Sequence, residues 1–281
     1  MITINDLNGL RAQVDTWRRG GNVAFVPTMG NLHDGHLSLV RAARTLADRV
    51  VVSIFVNPLQ FGVGEDFENY PRTLERDSAM LEGEGTDLLF APPVELIYPK
   101  PQDQQTRVEV PGLSGLLCGA SRPVHFVGVA TVVCKLFNMV QPDVALFGKK
   151  DFQQLMVIAR MVEDLAMPVR IVGVDTRRES DGLAMSSRNG YLTPDERAKA
   201  PMLYRVLGGM ADKLRDGNSD YAGLQAQAAT ELDHLGFTTD YVAIRRAADL
   251  LAPSADEGEL VVLAAAHLGK ARLIDNIEVS R

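Results

Sequence analysis

Residues 26–36 read VPTMGNLHDGH. An apolar run ends, the chain turns through Pro27, Thr28 and Gly30, and His33 and His36 follow three residues apart. At that spacing two imidazoles share a helix face or flank a helix N-terminus, where unpaired backbone N–H groups favour an anion. Phosphate is the obvious candidate. Three further apolar runs end in comparable polar stretches: NPLQF at 57–61, GKKDFQQ at 148–154 and DTRRESDG at 175–182. These supply Asn57, Gln60, Lys150, Asp151, Gln154, Arg177 and Arg178. In AMSSRNGY, residues 184–191, two hydroxyls and a guanidinium suit a loop that closes on phosphates, Ser186 and Ser187 donating and Arg188 supplying charge.

Each stretch also has a plainer reading. The histidines could ligate a metal, although the Glu of HExxH is missing and spacing places no third ligand. Lys149 and Lys150 could be a solvated pair, Asn57 with Pro58 could be turn chemistry, and one of Gln153 and Gln154 could face water. The serines could belong to an interdomain linker. A nucleophilic serine has no GxSxG context.

Positioning these groups together requires particular elements. Short β-branched runs at 23–27, 50–56, 88–91, 143–147 and 169–174 read as strands. Helical periods lie between them at 35–48, 72–82, 129–140 and 151–165, the first with Leu37, Val40, Leu46 and Ala47 for its buried side. The pattern predicts an α/β fold, a doubly wound parallel sheet, whose ligands bind beyond the carboxyl ends of the strands. All four polar stretches would then share one sheet edge. After Asp175 the texture changes to a helix start at Thr193 and Pro194, a second helical pattern over 219–235, and strands at 241–245, 259–263 and 271–274. The predicted domains are 1–176, Rossmann-like, and 177–281, a smaller α+β unit, with the MSSR loop near the hinge.

At 281 residues the chain can bury a substantial core. A net charge of −7 and a pI near 5.3 give no basic footprint for nucleic acid. Cys118 and Cys134 lack any metal or redox motif and read as small core thiols in a reducing compartment. Neither a leader nor a membrane-spanning apolar stretch is read, so the cytoplasm is the expected location.

The pair HDGH and MSSR, separated by one α/β domain, resembles the HxGH and KMSKS-like elements of the nucleotidylyltransferase superfamily, which includes class I aminoacyl-tRNA synthetases. VPTMGNLHDGH, SIFVNPLQF, YPRTLERD, the run from Ala120 to Leu155, DGLAMSSRNGYL and the closing ARLIDN together resemble the pantoate–β-alanine ligase family over essentially the whole chain. That resemblance implies condensation of (R)-pantoate with β-alanine to pantothenate through a pantoyl-adenylate. ATP would be the co-substrate, with Mg²⁺, and the enzyme a homodimer. It implies an ATP site of Met29, Gly30, Asn31, Leu32, His33, Asp34, Gly35, His36, Gly148, Lys149, Lys150, Asp151, Arg177, Met185, Ser186, Ser187 and Arg188. Within it His36, His33, Lys150 and Arg188 would be catalytic, His36 as proton donor. Gln60 would contact pantoate and β-alanine, Gln154 and Asn57 pantoate. Tyr70 would lie near substrate, and Asp77 near a metal held mainly by phosphate.

The chain departs from the family pattern at Lys149, where Glu or Gln is usual and positive charge is added. It departs also at Val127, where a polar residue is usual, at Asp175, where proline is, and at Arg177, usually apolar. Three rivals remain: another nucleotidylyltransferase, which leaves NPLQF and KDFQQ unexplained; a tRNA-charging enzyme, disfavoured by acidic charge and lack of an anticodon module; and a nucleotide sensor without turnover, which would not need every phosphate ligand intact.

Overall fold

The computed structural model describes residues 1–62 and 67–281. In chain order the elements are β1 (Ile2–Ile4), α1 (Leu7–Arg18), β2 (Val23–Thr28), α2 (Asp34–Arg44), β3 (Arg49–Ile54), α3 (Leu74–Gly83), β4 (Leu88–Phe90) and α4 (Val94–Ile97). Then come α5 (Cys118–Ser121), α6 (His125–Val140), β5 (Val144–Gly148), α7 (Phe152–Asp164) and β6 (Arg170–Val174). They are followed by α8 (Pro194–Lys199), α9 (Met202–Arg215), α10 (Tyr221–His234), β7 (Thr238–Arg246), β8 (Glu259–Leu268) and β9 (Ala271–Ser280). The chain packs as two compact units. One comprises Met1–Gly115, Arg122–Lys149 and Gln154–Asp175, the other Leu116–Ser121, Lys150–Gln153 and Thr176–Arg281.

The first unit holds a six-stranded sheet in the order β1-β4-β3-β2-β5-β6, every pairing parallel. From β2 the chain runs outward through β3 and β4, then returns to place β5 on β2's other side. That reversal opens a crevice at the carboxyl ends of β2 and β5. Ala24, Val26, Val50, Val52, Leu89, Val144 and Leu146 pack against Leu39, Val40 and Ala43 of α2. The doubly wound reading therefore holds.

Local details differ from the sequence reading. Both β1 and α1 escape it: three residues are too few to show a period, and α1 buries only Leu10 and Val14. The helix expected over 35–48 stops at Arg44, because Thr45 and Leu46 bond to the carbonyls of Ala42 and Ala43 and tighten the last turn. Leu39 and Ala43 join Val40 on its buried side, while Leu46 and Ala47 lie past its end. The helix expected from 129 begins at His125.

The second unit is an antiparallel sheet, β7-β8-β9, with α9 and α10. Its core joins Leu203, Leu207, Met210 and Leu214 of α9 to Leu260, Val262, Ala264 and Leu273. Pro194 starts α8 with a capping box between Thr193 and Glu196, as the Thr-Pro-Asp-Glu sequence predicts. The period is then interrupted at Pro201, so the first long helical pattern is two helices.

Candidate active site

At the end of β2, Thr28 Oγ1 donates to Ser53 O (2.7 Å) and accepts from Gly30 N (3.2 Å). Gly30 and Asn31 follow with φ of 81° and 50°, both left-handed. A Cβ on Gly30 would stand 3.0 Å from Ile54 Cγ2 and 3.1 Å from Asp77 Oδ2, so shape and φ both call for glycine. The double turn aims Asn31 N and Leu32 N at the Asp77 carboxylate, at 2.7 and 3.0 Å, and Thr73 Oγ1 donates to it as well (3.0 Å). Asp77 is 0 % exposed. Enclosed and bonded at both oxygens, it anchors the turn.

The turn delivers His33 as the N-cap of α2. Its Nδ1 accepts from Gly35 N (3.2 Å), and His36 Nδ1 accepts from His33 N (3.4 Å), a capping box built from two imidazoles. Their centroids are 4.1 Å apart. A ring nitrogen that accepts from a backbone N–H carries no proton, so each neutral ring holds its hydrogen on Nε2. The helix N-terminus thus presents imidazole N–H donors with its own positive end.

Beyond β3, Asn57 caps the 3-10 turn Pro58–Gln60. Its Oδ1 accepts from Leu59 N (3.3 Å) and Tyr98 Oη (2.7 Å), and its Nδ2 donates to Gly128 O (3.0 Å) and Gln60 Oε1 (3.1 Å). All four positions are filled and the residue is 1 % exposed. Asn57, expected to contact pantoate, has each of these positions taken by a protein group, one of them the Gln60 side chain. Leu59 N and Gly128 O fix which end of the Asn57 amide is which, and Asn57 in turn fixes Gln60. The Gln60 Nε2 is left against Met29 Sδ (2.9 Å), a weak acceptor that a substrate oxygen can outbid. The Gln60 carbonyl is bonded to His125 Nδ1 (2.9 Å) and Arg122 Nη2 (3.3 Å). Tyr70 is buried with its ring against Phe61.

After β5, Lys149 pairs with Asp175 at 3.1 Å. Two of the departures noted in the sequence therefore offset one another, and Lys149 adds less positive charge than its type suggested. In the second unit Lys150 lies 3.7 Å from Asp151. Gln153 is the glutamine that turns inward, accepting from Cys118 N and donating to Leu116 O. Gln154, in the first unit, is partly buried, and its side chain has no hydrogen-bond partner among the described residues. Residues 185–188 follow a short hairpin: Met185 N donates to Arg177 O (2.9 Å), Ser186 Oγ accepts from Arg188 N (3.2 Å), and the 3-10 turn Ser187–Tyr191 begins there. Arg178, grouped in the sequence with the polar edge, turns instead to Asp275.

The family model described as pantoate–β-alanine ligase matches residues 2–278. The chain belongs to the pantoate–β-alanine ligase family. It is 58 % identical over 282 residues to the pantothenate synthetase of Shewanella loihica, covering 100 % of both chains. The crystal structure of pantothenate synthetase from Thermus thermophilus superposes with a TM-score of 0.93 at 50 % identity and full coverage of each chain. That of the Francisella tularensis pantoate–β-alanine ligase, complexed with β-γ ATP and β-alanine, gives 0.82 at 33 % identity, covering 99 % of this chain and 97 % of that one. Similarity at this level and length removes the rival superfamily readings. The chain is a ligase of pantothenate biosynthesis.

Among the described residues no group of three or more His, Cys, Asp or Glu side chains could hold a metal ion. Asp77, expected near a phosphate-held metal, is enclosed by the turn it anchors.

Proposed function

We propose that this ligase makes pantoyl-adenylate and then pantothenate with the residues described above, with MgATP as substrate. The observation that carries the assignment is the imidazole capping box at the N-terminus of α2, beside the sheet's reversal point. Pantoate's carboxylate is already ionised, so its attack on the α-phosphorus, which breaks the α–β P–O bond, needs no general base. It needs charge neutralisation. His33 and His36 donate through Nε2–H, Lys150 and Arg188 supply full charges, and Ser186 and Ser187 donate hydroxyls. The backbone from Met29 to Gly35, with Gly148, Lys149, Asp151, Arg177 and Met185, completes the nucleotide ligands. Gln60 Nε2 leaves the methionine sulfur for a pantoate oxygen, joined by the unpartnered Gln154. Asn57 contributes by holding Gln60.

In the second step the β-alanine nitrogen attacks the acyl carbon and the C–O bond to AMP breaks. The incoming amine must lose a proton. His33 and His36 each have Nδ1 occupied and Nε2 protonated, which disfavours them as bases and favours the adenylate's own phosphate oxygen. The domain reading, 1–176 and 177–281, follows the same division of labour, with the MSSR run on the second part. An enzyme that consumes ATP would work in the cytoplasm, which also suits two unpaired thiols. The family resemblance supports a homodimer, testable by its mass against 30.6 kDa per chain.

The decisive measurement is AMP release with ATP, Mg²⁺, pantoate and β-alanine, each acceptor omitted in turn, together with pantoate-dependent ATP–pyrophosphate exchange. Turnover needing both acceptors, with exchange needing pantoate alone, is the expected result. Tight ATP binding without exchange would overturn it. Lys150→Ala is expected to lower exchange by about 10²- to 10³-fold with the fold intact.

A further inference from the structure

β9 interrupts its own pattern at the closing ARLIDN. Ala271, Leu273, Ile277 and Val279 belong to or pack on the second unit's apolar core, and strict alternation puts Asp275 in their row. Asp275 is 4 % exposed. A carboxylate there persists only if paired and hydrogen-bonded. Arg178 pairs with it bidentately, Nη1 to Oδ2 at 2.6 Å and Nη2 to Oδ1 at 2.8 Å. The guanidinium lies 3.5 Å from the Tyr204 ring centroid and donates to Gly182 O. Since an apolar replacement of a buried ion pair is often no less stable, the pair's persistence points to geometry rather than stability.

What the pair holds is the hairpin that leads to residues 185–188. Arg178 bridges Ala184, Glu179 N donates to Leu183 O, and Met185 N closes on Arg177 O. The next residue of β9, Asn276, projects from the opposite face by the same alternation. Its Nδ2 donates to Lys150 O (2.9 Å), and its backbone N–H donates to Asp275 Oδ1 (2.8 Å). Two adjacent side chains of one strand thus reach both segments to which phosphate ligands were assigned in this unit.

We propose that Asp275 and Asn276 are positioning residues for adenylate formation. Asn276 fixes Lys150 through its carbonyl, and Asp275 fixes the Met185–Arg188 run through Arg178. The inference rests on the reading that Lys150 and Arg188 act on phosphates.

A double-mutant cycle tests it, read as pantoate-dependent ATP–pyrophosphate exchange with melting curves alongside. Asn276→Leu removes the donor at similar size and should lower exchange about tenfold or more. In the Lys150→Ala background the same change should cost less than about twofold. Equal losses in both backgrounds, or no loss in the first, overturn the Asn276 assignment. Near-normal exchange in Lys150→Ala alone removes the reading of Lys150, and this proposal with it. If Asn276→Leu fails to fold, Asn276→Ser, which shortens the arm, enters the same cycle. For the other arm, Arg178→Lys keeps charge but loses the bidentate fork. It should raise the KM for ATP about fivefold and leave that for pantoate within about twofold. A general loss of active enzyme with both KM values unchanged would show a merely structural role.

Discussion

Gly128→Ala tests how Gln60 is placed. Gly128 lies inside α6, where alanine ordinarily stabilises a helix by about 1 kcal/mol. Here a Cβ would stand 2.3 Å from Leu59 O, 2.5 Å from Leu59 C and 2.7 Å from Gln60 N. All three are backbone atoms, and ordinary contact begins near 3.4 Å. The turn bearing Gln60 must therefore retreat by about 1 Å, stretching the 3.0 Å bond from Asn57 Nδ2 to Gly128 O. Overpacking of this kind costs about 1–3 kcal/mol, so after the helix gain the net loss should be about 0–2 kcal/mol. The functional effect should be larger, because a 1 Å misplacement of a positioning group lowers rates about 100-fold. The assays are urea denaturation and steady-state kinetics with pantoate and ATP varied separately. The expected result is a kcat/KM for pantoate reduced about 100-fold, with a much smaller change in the KM for ATP. A variant more stable than the parent with unchanged pantoate kinetics would refute the reasoning.

Asp77→Ala strands Asn31 N, Leu32 N and Thr73 Oγ1, and should destabilise by about 3 kcal/mol, lowering Tm by about 6–12 °C; a melt within about 2 °C of the parent, on that same scale of about 2–4 °C per kcal/mol, would refute the anchor role. His36→Ala removes one long capping bond, a loss of about 1 kcal/mol, yet should slow pyrophosphate exchange about 100-fold, which distinguishes a phosphate donor from a mere cap. Burial raises the Tyr98 phenol above its ordinary value, and burial followed by Cys118 raises that of Tyr241. The folded state therefore keeps protons that the unfolded state gives up. Their stabilising contribution is intact below about pH 10 and declines as pH rises through the folded values, by up to about 1.4 kcal/mol per pH unit for each phenol. Denaturant midpoints from about pH 9 to 12 check the slope, and Tyr98→Phe should reduce it; an identical slope in that variant would exclude Tyr98 as its source.

The candidate residues were legible because their signals are local. The histidine spacing, the Gly-bracketed turn and the Lys-Lys-Asp after a β-branched run each lie within a few residues, and parallel pairing then brings strand ends to one edge. No local signal marks Asp77 as the group that closes the turn at Asn31, 46 residues before it, since carboxylates at a helix start are common. Gly128 looks like any glycine of a helical run until the backbone of Leu59 is set against it. Asp275 does carry a signal, a charge in an apolar row, but its partner cannot be found without the fold.

By itself the sequence determined which side chains were available and, through the periods of its apolar residues, the parallel sheet and the strand ends that carry them. The tertiary structure alone decided how each is held: that Asn57 turns inward to Gln60, that Lys149 is matched by Asp175, and that both imidazoles accept a backbone N–H at Nδ1. Those outcomes depend on hydrogen bonds and packing between segments distant in the chain, whose geometry is set only once the strands have registered and the helices have closed over them.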